Sequence, residues 1–314
     1  MKYLFLVLFY LLCCISFANA GEPVFSKVKA ADGVEFQICT KYPDAIKFPG
    51  RRPALMIIMG SGRSDSCASL GKEYADSIVA KGVILFARQK RGLFHDPISK
   101  NFSMDEHIYA GADLPTLKRD TLVAFDALLK DTLVDPKRTA VWGGSEGTIM
   151  ATYIGNHHPE IREVGLANSM IESFTSLFER QYYSYIPQEF IKSLDADNDG
   201  KLSSKELTPD LLKQSGLRTF GEIDLNNDGF VDSSELIQEI HRAISFSLLR
   251  GDNTFFLSDL GGGVTVPWIR SAFRDQPLGP QILKLGMPVI IYHGTADQNT
   301  LVGPRSTKGP RDWA

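Results

Sequence analysis

The sequence holds 314 residues, 43% hydrophobic and 23% charged, with a formal net charge of −3. That length suits one large domain or two medium ones, and the composition excludes a disordered or fibrous chain. The small charge offers no field to nucleic acid or to an anionic membrane, so neither is an expected partner.

The first twenty residues stand apart. Lys2 is a short positive segment, residues 3–17 are almost wholly apolar, and Ala18-Asn19-Ala20 has the small-x-small pattern of a cleavage site. This reads as a secretory signal peptide cut after Ala20, which makes the mature chain secreted or periplasmic. The apolar run is shorter than the about 20 residues of a membrane span, so no span is expected after cleavage. Cleavage removes Cys13 and Cys14 and leaves Cys39 and Cys67, in a compartment where a disulfide is permitted. Sequence alone gives no distance between them.

Residues 24–30 and 34–40 alternate apolar and polar side chains around Ala31-Asp32-Gly33, a hairpin pattern. Residues 54–59 form a short apolar run that ends at Gly60-Ser61-Gly62, a buried strand followed by a tight turn. Residues 68–81 have helical spacing and stop at Gly82, and residues 83–87 read as another buried strand. The stretch 114–129 is an amphipathic helix with Leu117, Leu122, Phe125 and Leu129 on one face. Strands are predicted at 139–142, 164–167 and 288–292, and a helix at 145–156. Strand and helix alternate, which implies a mostly parallel sheet covered by helices on both faces.

Between residues 169 and 285 the rhythm breaks. Two similar segments, DADNDGKLSSKE and DLNNDGFVDSSE, carry Asp195, Asp197, Asp199, Lys201, Ser203 and Glu206, then Asp224, Asn226, Asp228, Phe230, Asp232 and Glu235. Both resemble the 12-residue EF-hand calcium loop. Calcium takes about six to eight hard oxygens, and the final Glu supplies two of them. Lys201 and Phe230 would offer only backbone carbonyls, while Ser203 and Asp232 would act through water. Gly200 and Gly229 permit the sharp turn. Leu202 and Val231 are apolar and placed to pair the loops back to back. The resemblance covers residues 187–242 and implies two calcium sites. The short spacer, residues 207–223, points to a bracing role rather than a calmodulin-like switch. An insertion of this kind is expected to lie as a lid over the carboxyl ends of the strands.

Gly143-Gly144-Ser145-Glu146-Gly147 fits Gly-x-Ser-x-Gly, the pattern of a serine nucleophile on a strand-to-helix turn. Alone the pattern is weak, occurring by chance in about one chain in ten of this length. Its neighbours strengthen it. A strand precedes Ser145 and a helix follows, so the Glu146 backbone N–H faces a developing oxyanion. The Ser61 N–H, after the earlier strand, is the second candidate donor. Asp297 follows the strand at 288–292, where an orienting acid belongs.

With these pieces the sequence resembles the α/β-hydrolase family over residues 22–300. The matched parts are the Gly60–Gly62 turn, Arg91-Gly92, the Ser145 turn and His293-Gly294-Thr295-Ala296-Asp297, in the family's order. The resemblance implies a core of residues 21–168 and 286–300, split by the insertion at 169–285, with an irregular tail at 301–314. It also implies that the second strand runs antiparallel. Cys39 would then lie toward the opposite end of the sheet from Cys67, which argues against their pairing.

One departure is plain. The family order is Ser, then Asp, then His. Here His95, His107, His157, His158, His241 and His293 all precede Asp297, and seventeen residues follow it. A last strand, loop and helix do not fit there, so a truncated or frameshifted form of an active enzyme is the expectation. The expected function is a calcium-binding serine hydrolase, with activity of this form in doubt. Its substrate would be a small-molecule ester, with a peptide or amide as the alternative. The competing class is a calcium-binding protein without catalysis.

Overall fold

The computed structural model describes residues 21–250 and 263–294. The signal-peptide stretch, Asp297 and the tail lie outside the described residues. Eleven strands are described: β1 Val24–Lys29, β2 Glu35–Lys41, β3 Arg52–Ile58, β4 Ile84–Arg88, β5 Leu93–His95, β6 Phe102–Met104, β7 Val134–Gly144, β8 Glu163–Ala167, β9 Leu202–Ser203, β10 Phe230–Val231 and β11 Val289–Tyr292. Seven of them make the central sheet, in the order β1-β2-β4-β3-β7-β8-β11. The β1–β2 and β2–β4 pairs are antiparallel, and the other four pairs are parallel.

The predicted strands form where they are expected, and β7 extends the predicted 139–142 in both directions. Its central position explains this: β3 lies on one side from Arg52↔Val134 to Ile58↔Gly143, and β8 on the other. Residues 84–88 are buried throughout, as befits a strand covered on both faces.

Eleven α-helices accompany the strands: α1 Glu73–Val79, α2 Glu106–Ala110, α3 Leu114–Lys130, α4 Glu146–His157, α5 Phe174–Arg180, α6 Ile186–Leu194, α7 Pro209–Gln214, α8 Phe220–Ile223, α9 Ser233–Arg250, α10 Val266–Ala272 and α11 Leu278–Ile282. None is long and apolar enough to cross a membrane. Helix α3 starts on Asp113, whose carboxylate accepts the Thr116 N–H, with proline in the first turn. It buries Leu117, Ala124, Phe125 and Leu128; Leu122, expected on that face, is only half-buried. The helix predicted over 68–81 breaks in two, a 3₁₀ turn at Ala68–Gly71 and then α1, with Lys72 extended. Gly71 is a poor helix former, and the Leu70 carbonyl accepts a bond from Lys41 Nζ at 3.1 Å.

The expectation against a disulfide is wrong. Cys39 and Cys67 are bonded, with Cα atoms 5.8 Å apart. Strand β2 does run antiparallel, but Cys39 sits mid-strand opposite Ala87, not at the far pole. After the Gly60–Gly62 turn the chain folds back across the sheet face, and Cys67, Leu70, Ala75 and Val79 pack on Cys39, Ile57, Leu85 and Ala87.

On the opposite face one core runs without a break from the sheet into the segment between β8 and β11. It includes Phe86, Phe125, Met150 and Leu166, then Met170, Leu177 and Phe178, then Leu202, Ile223, Val231, Leu236 and Ile240. The region carrying the Asp-rich loops is thus bonded to the sheet by shared apolar burial, the main favourable term in folding.

Candidate active site and calcium loops

Ser145 joins β7 to α4 with φ 52° and ψ −120°. A serine at positive φ is strained, and such strain persists only where the surroundings enforce it. Here the two flanking glycines are the means. A Cβ on Gly143 would stand 2.1 Å from the Gly147 carbonyl oxygen, and one on Gly147 would stand 2.2 Å from that of Ile58. Backbone presses on backbone at both positions, so no side chain fits. The Ser145 N–H donates to the Ala167 carbonyl at 2.9 Å, and the Ser145 carbonyl accepts from the Thr148 N–H at 2.9 Å and the Thr148 hydroxyl at 2.6 Å. Both backbone groups of Ser145 are thus held, and the residue is half-buried.

The turn after β3 abuts this serine. A Cβ on Gly60 would come 3.3 Å from Ser145 Cβ and 3.7 Å from Oγ. Ser61 follows and is exposed. Ser61, Ser145 and Glu146, predicted from separate parts of the sequence, therefore belong to one locale; Asp297 lies outside the described residues.

No described histidine hydrogen-bonds to Ser145 Oγ. His95 Nδ1 is 2.7 Å from Asp65 Oδ2, with its ring stacked on Phe25. His157 Nδ1 is 2.8 Å from the Tyr153 carbonyl. His158 lies between Asp126 and Glu160 at 3.1 and 2.8 Å. His241 packs edge-on against Tyr183.

Sequence reasoning overlooked Lys90. Its ammonium is 2.9 Å from the Gly60 carbonyl, 3.2 Å from the Gly62 carbonyl and 2.9 Å from Glu146 Oε1. The approach to Glu146 is ionic rather than a well-aligned hydrogen bond. Both side chains are buried, and burial pulls the Lys90 ammonium below its ordinary pKa while Glu146 opposes that. The sequence offered two separate cues, a lysine two residues past a buried strand and a glutamate directly after the candidate nucleophile.

The two Asp-rich loops are built alike. Asn198 and Gly200 have φ of 62° and 83°, and Asn227 and Gly229 have φ of 54° and 85°. In the first loop the Asp195 carboxylate accepts N–H groups of Asp199 and Gly200, and Glu206 accepts those of Ala196 and Ser203. In the second, Asp224 accepts from Asp228 and Gly229, and Glu235 from Leu225, Asn226 and Asp232. Leu202 and Val231 pair across the β9–β10 ladder as anticipated, and both are fully buried. Ligand oxygens of Asp195, Asp197 and Asp199 lie within 4.8 Å of one another. Both donor sets are all oxygen, and that of the first loop converges, so the residues present fit a calcium ion there. One contact was not foreseen: Lys201 Nζ of the first loop is 3.0 Å from Asp228 Oδ2 of the second.

Comparison with known proteins agrees with this architecture. Residues 116–205, which include Ser145, match the model of the prolyl oligopeptidase family, and residues 217–241 match the EF hand. No curated protein matches. Among solved structures, a hypothetical protein from Pseudomonas aeruginosa is similar at TM-score 0.51 and 14% identity, over 91% of this chain and 81% of its own. An alpha/beta hydrolase from a Penicillium species gives 0.45 and 12%, over 87% and 90%. Dipeptidyl peptidase 4 from Porphyromonas gingivalis gives 0.36 and 16%, over 48% of this chain and 21% of that one, so the match spans about a fifth of the peptidase. Sheet order, the strained serine turn and the two family-model matches converge: the chain has an α/β-hydrolase-type fold, with an EF-hand region set between β8 and β11.

Proposed function

We propose that the chain is a secreted, calcium-binding serine hydrolase that transfers acyl groups from esters to water. The observation that carries this is the backbone of Ser145: positive φ, flanked by two glycines without room for a Cβ, and abutted by the Gly60–Gly62 turn. A strained conformation held by its surroundings is a feature of reacting residues. Ser145 Oγ attacks the acyl carbonyl carbon, and the carbonyl oxygen takes up the negative charge. The N–H groups of Ser61 and Glu146 receive that charge. The hydroxyl proton needs an acceptor, and in this reading Asp297 orients one. No described histidine is bonded to Ser145 Oγ, and a serine without a bonded base is a weak nucleophile.

Calcium is held by Asp195, Asp197, Asp199, the Lys201 carbonyl and Glu206, with Ser203 through water. The second ion is held by Asp224, Asn226, Asp228, the Phe230 carbonyl and Glu235, with Asp232 through water. Bound calcium supplies fixed positive charge that draws each loop closed, and the shared core passes that rigidity to the sheet.

Two other readings have specific support. The prolyl oligopeptidase match favours a peptide substrate. The EF-hand match is the support for a calcium-binding protein without turnover. A fluorophosphonate probe separates them. It labels Ser145 in the hydrolase and spares Ser145→Ala; a folded protein whose Ser145 stays unlabelled is the non-catalytic form. Paired ester and peptide substrates then decide the leaving group.

A further inference from the structure

We propose that Lys90 is the positioning residue of the oxyanion site, one buried ammonium that aims and polarises both backbone donors. The inference rests on the serine-hydrolase reading. Lys90 is 6% exposed, and its ammonium donates to the carbonyls of Gly60 and Gly62 and makes an ionic contact with the carboxylate of Glu146. The identity of those acceptors matters. The Gly60 carbonyl and the Ser61 N–H are the two ends of one planar trans peptide. Tying the oxygen to Lys90 therefore turns the Ser61 N–H the opposite way. The Gly62 carbonyl, on the other side of Ser61, is tied to the same ammonium, so the turn is held at both flanks.

The second donor is the backbone N–H of Glu146. Its side chain ends on the same ammonium, which pins the first residue of α4 to the turn after β3. Two donors from strands far apart in sequence are thus referred to a single point. A cation on an amide oxygen also draws electron density from the amide, which strengthens the N–H at its far end. Because Glu146 balances the charge of Lys90, the site does not become a general trap for anions. The gain goes to the oxygen that becomes negative as the carbonyl is attacked.

The test replaces the pair together, Lys90→Met with Glu146→Gln, so that no charge is left buried alone. Lys90→Arg keeps the charge but replaces a compact ammonium with a flat fork. Fluorophosphonate labelling of Ser145 and the Ser61 amide proton shift are measured on wild type and both variants, with thermal melting as the check on folding. The double variant is expected to label about tenfold more slowly at saturating probe, with the half-saturating concentration unchanged. Its Ser61 amide should move upfield while the EF-hand amides stay in place, and Lys90→Arg should recover part of the rate. Equal labelling rates and an unmoved Ser61 amide in a folded double variant would overturn the proposal. A wild type that does not label overturns the serine-hydrolase reading; the Ser61 shift then decides for Lys90, a shift supporting its hold on the turn and no shift refuting it.

Discussion

The turn at Ser145 and the two EF-hand loops both force residues to positive φ, and they do so by opposite means. At the Ser145 turn the glycines are required by space. A Cβ on Gly147 would stand 2.2 Å from a backbone oxygen of β3. In the loops, Gly200 and Gly229 have φ of 83° and 85°, yet nothing lies within 4 Å of the place a Cβ would take. There the conformation is held by carboxylates that accept N–H groups from their own loop. The first geometry is imposed by packing and is ready before any ligand arrives. The second is a set of convergent charges that an ion completes.

Five perturbations sharpen that difference. Gly147→Ala is expected to cost about 4 kcal/mol in denaturant melts, because backbone must move to admit one methyl. Gly200→Ala, with the same chemistry in open space, should cost about 1 kcal/mol, the price of left-handed backbone alone. Equal costs would erase the distinction. Replacing Cys39 and Cys67 with alanine should remove about 3.5 kcal/mol, as expected for a bond spanning 28 residues. That loss should be the same with or without calcium. Chelation should act the other way round, lowering stability by about 2.7 kcal/mol per site when free calcium was a hundredfold above Kd. Calorimetry that finds one unchanged transition in chelator would show that the loops do not bind. The smallest effect concerns Lys201, which shares the Asp228 carboxylate with any incoming ion. Lys201→Met should raise affinity at the second loop about threefold by titration calorimetry. Unchanged or weaker binding would mean that the contact does not compete.

The same contrast explains what the sequence disclosed. The EF-hand region was legible because its residues are contiguous, and a 12-residue spacing carries its own geometry. The sheet was legible because buried strands such as residues 84–88 are short apolar runs. The disulfide was misjudged because it depends on how far the chain after Gly62 folds back over the sheet, which no local pattern records. Lys90 was overlooked for a related reason. Its three partners come from one turn and a helix start, and only the folded sheet makes them neighbours. The break at Lys72 arose from a tertiary contact, Lys41 on the Leu70 carbonyl, that overrode helical spacing.

In the hydrolase proposed above, Ser145 is a prepared nucleophile, and no described histidine is bonded to its Oγ. Ester hydrolysis of p-nitrophenyl acetate, followed with and without added imidazole, addresses this directly. The account predicts slow release of nitrophenol that imidazole accelerates in wild type above its effect on Ser145→Ala, with an acyl group recovered on Ser145 by mass spectrometry. Folded protein in which imidazole accelerates wild type and Ser145→Ala equally, with no acyl-Ser145 formed, would contradict it.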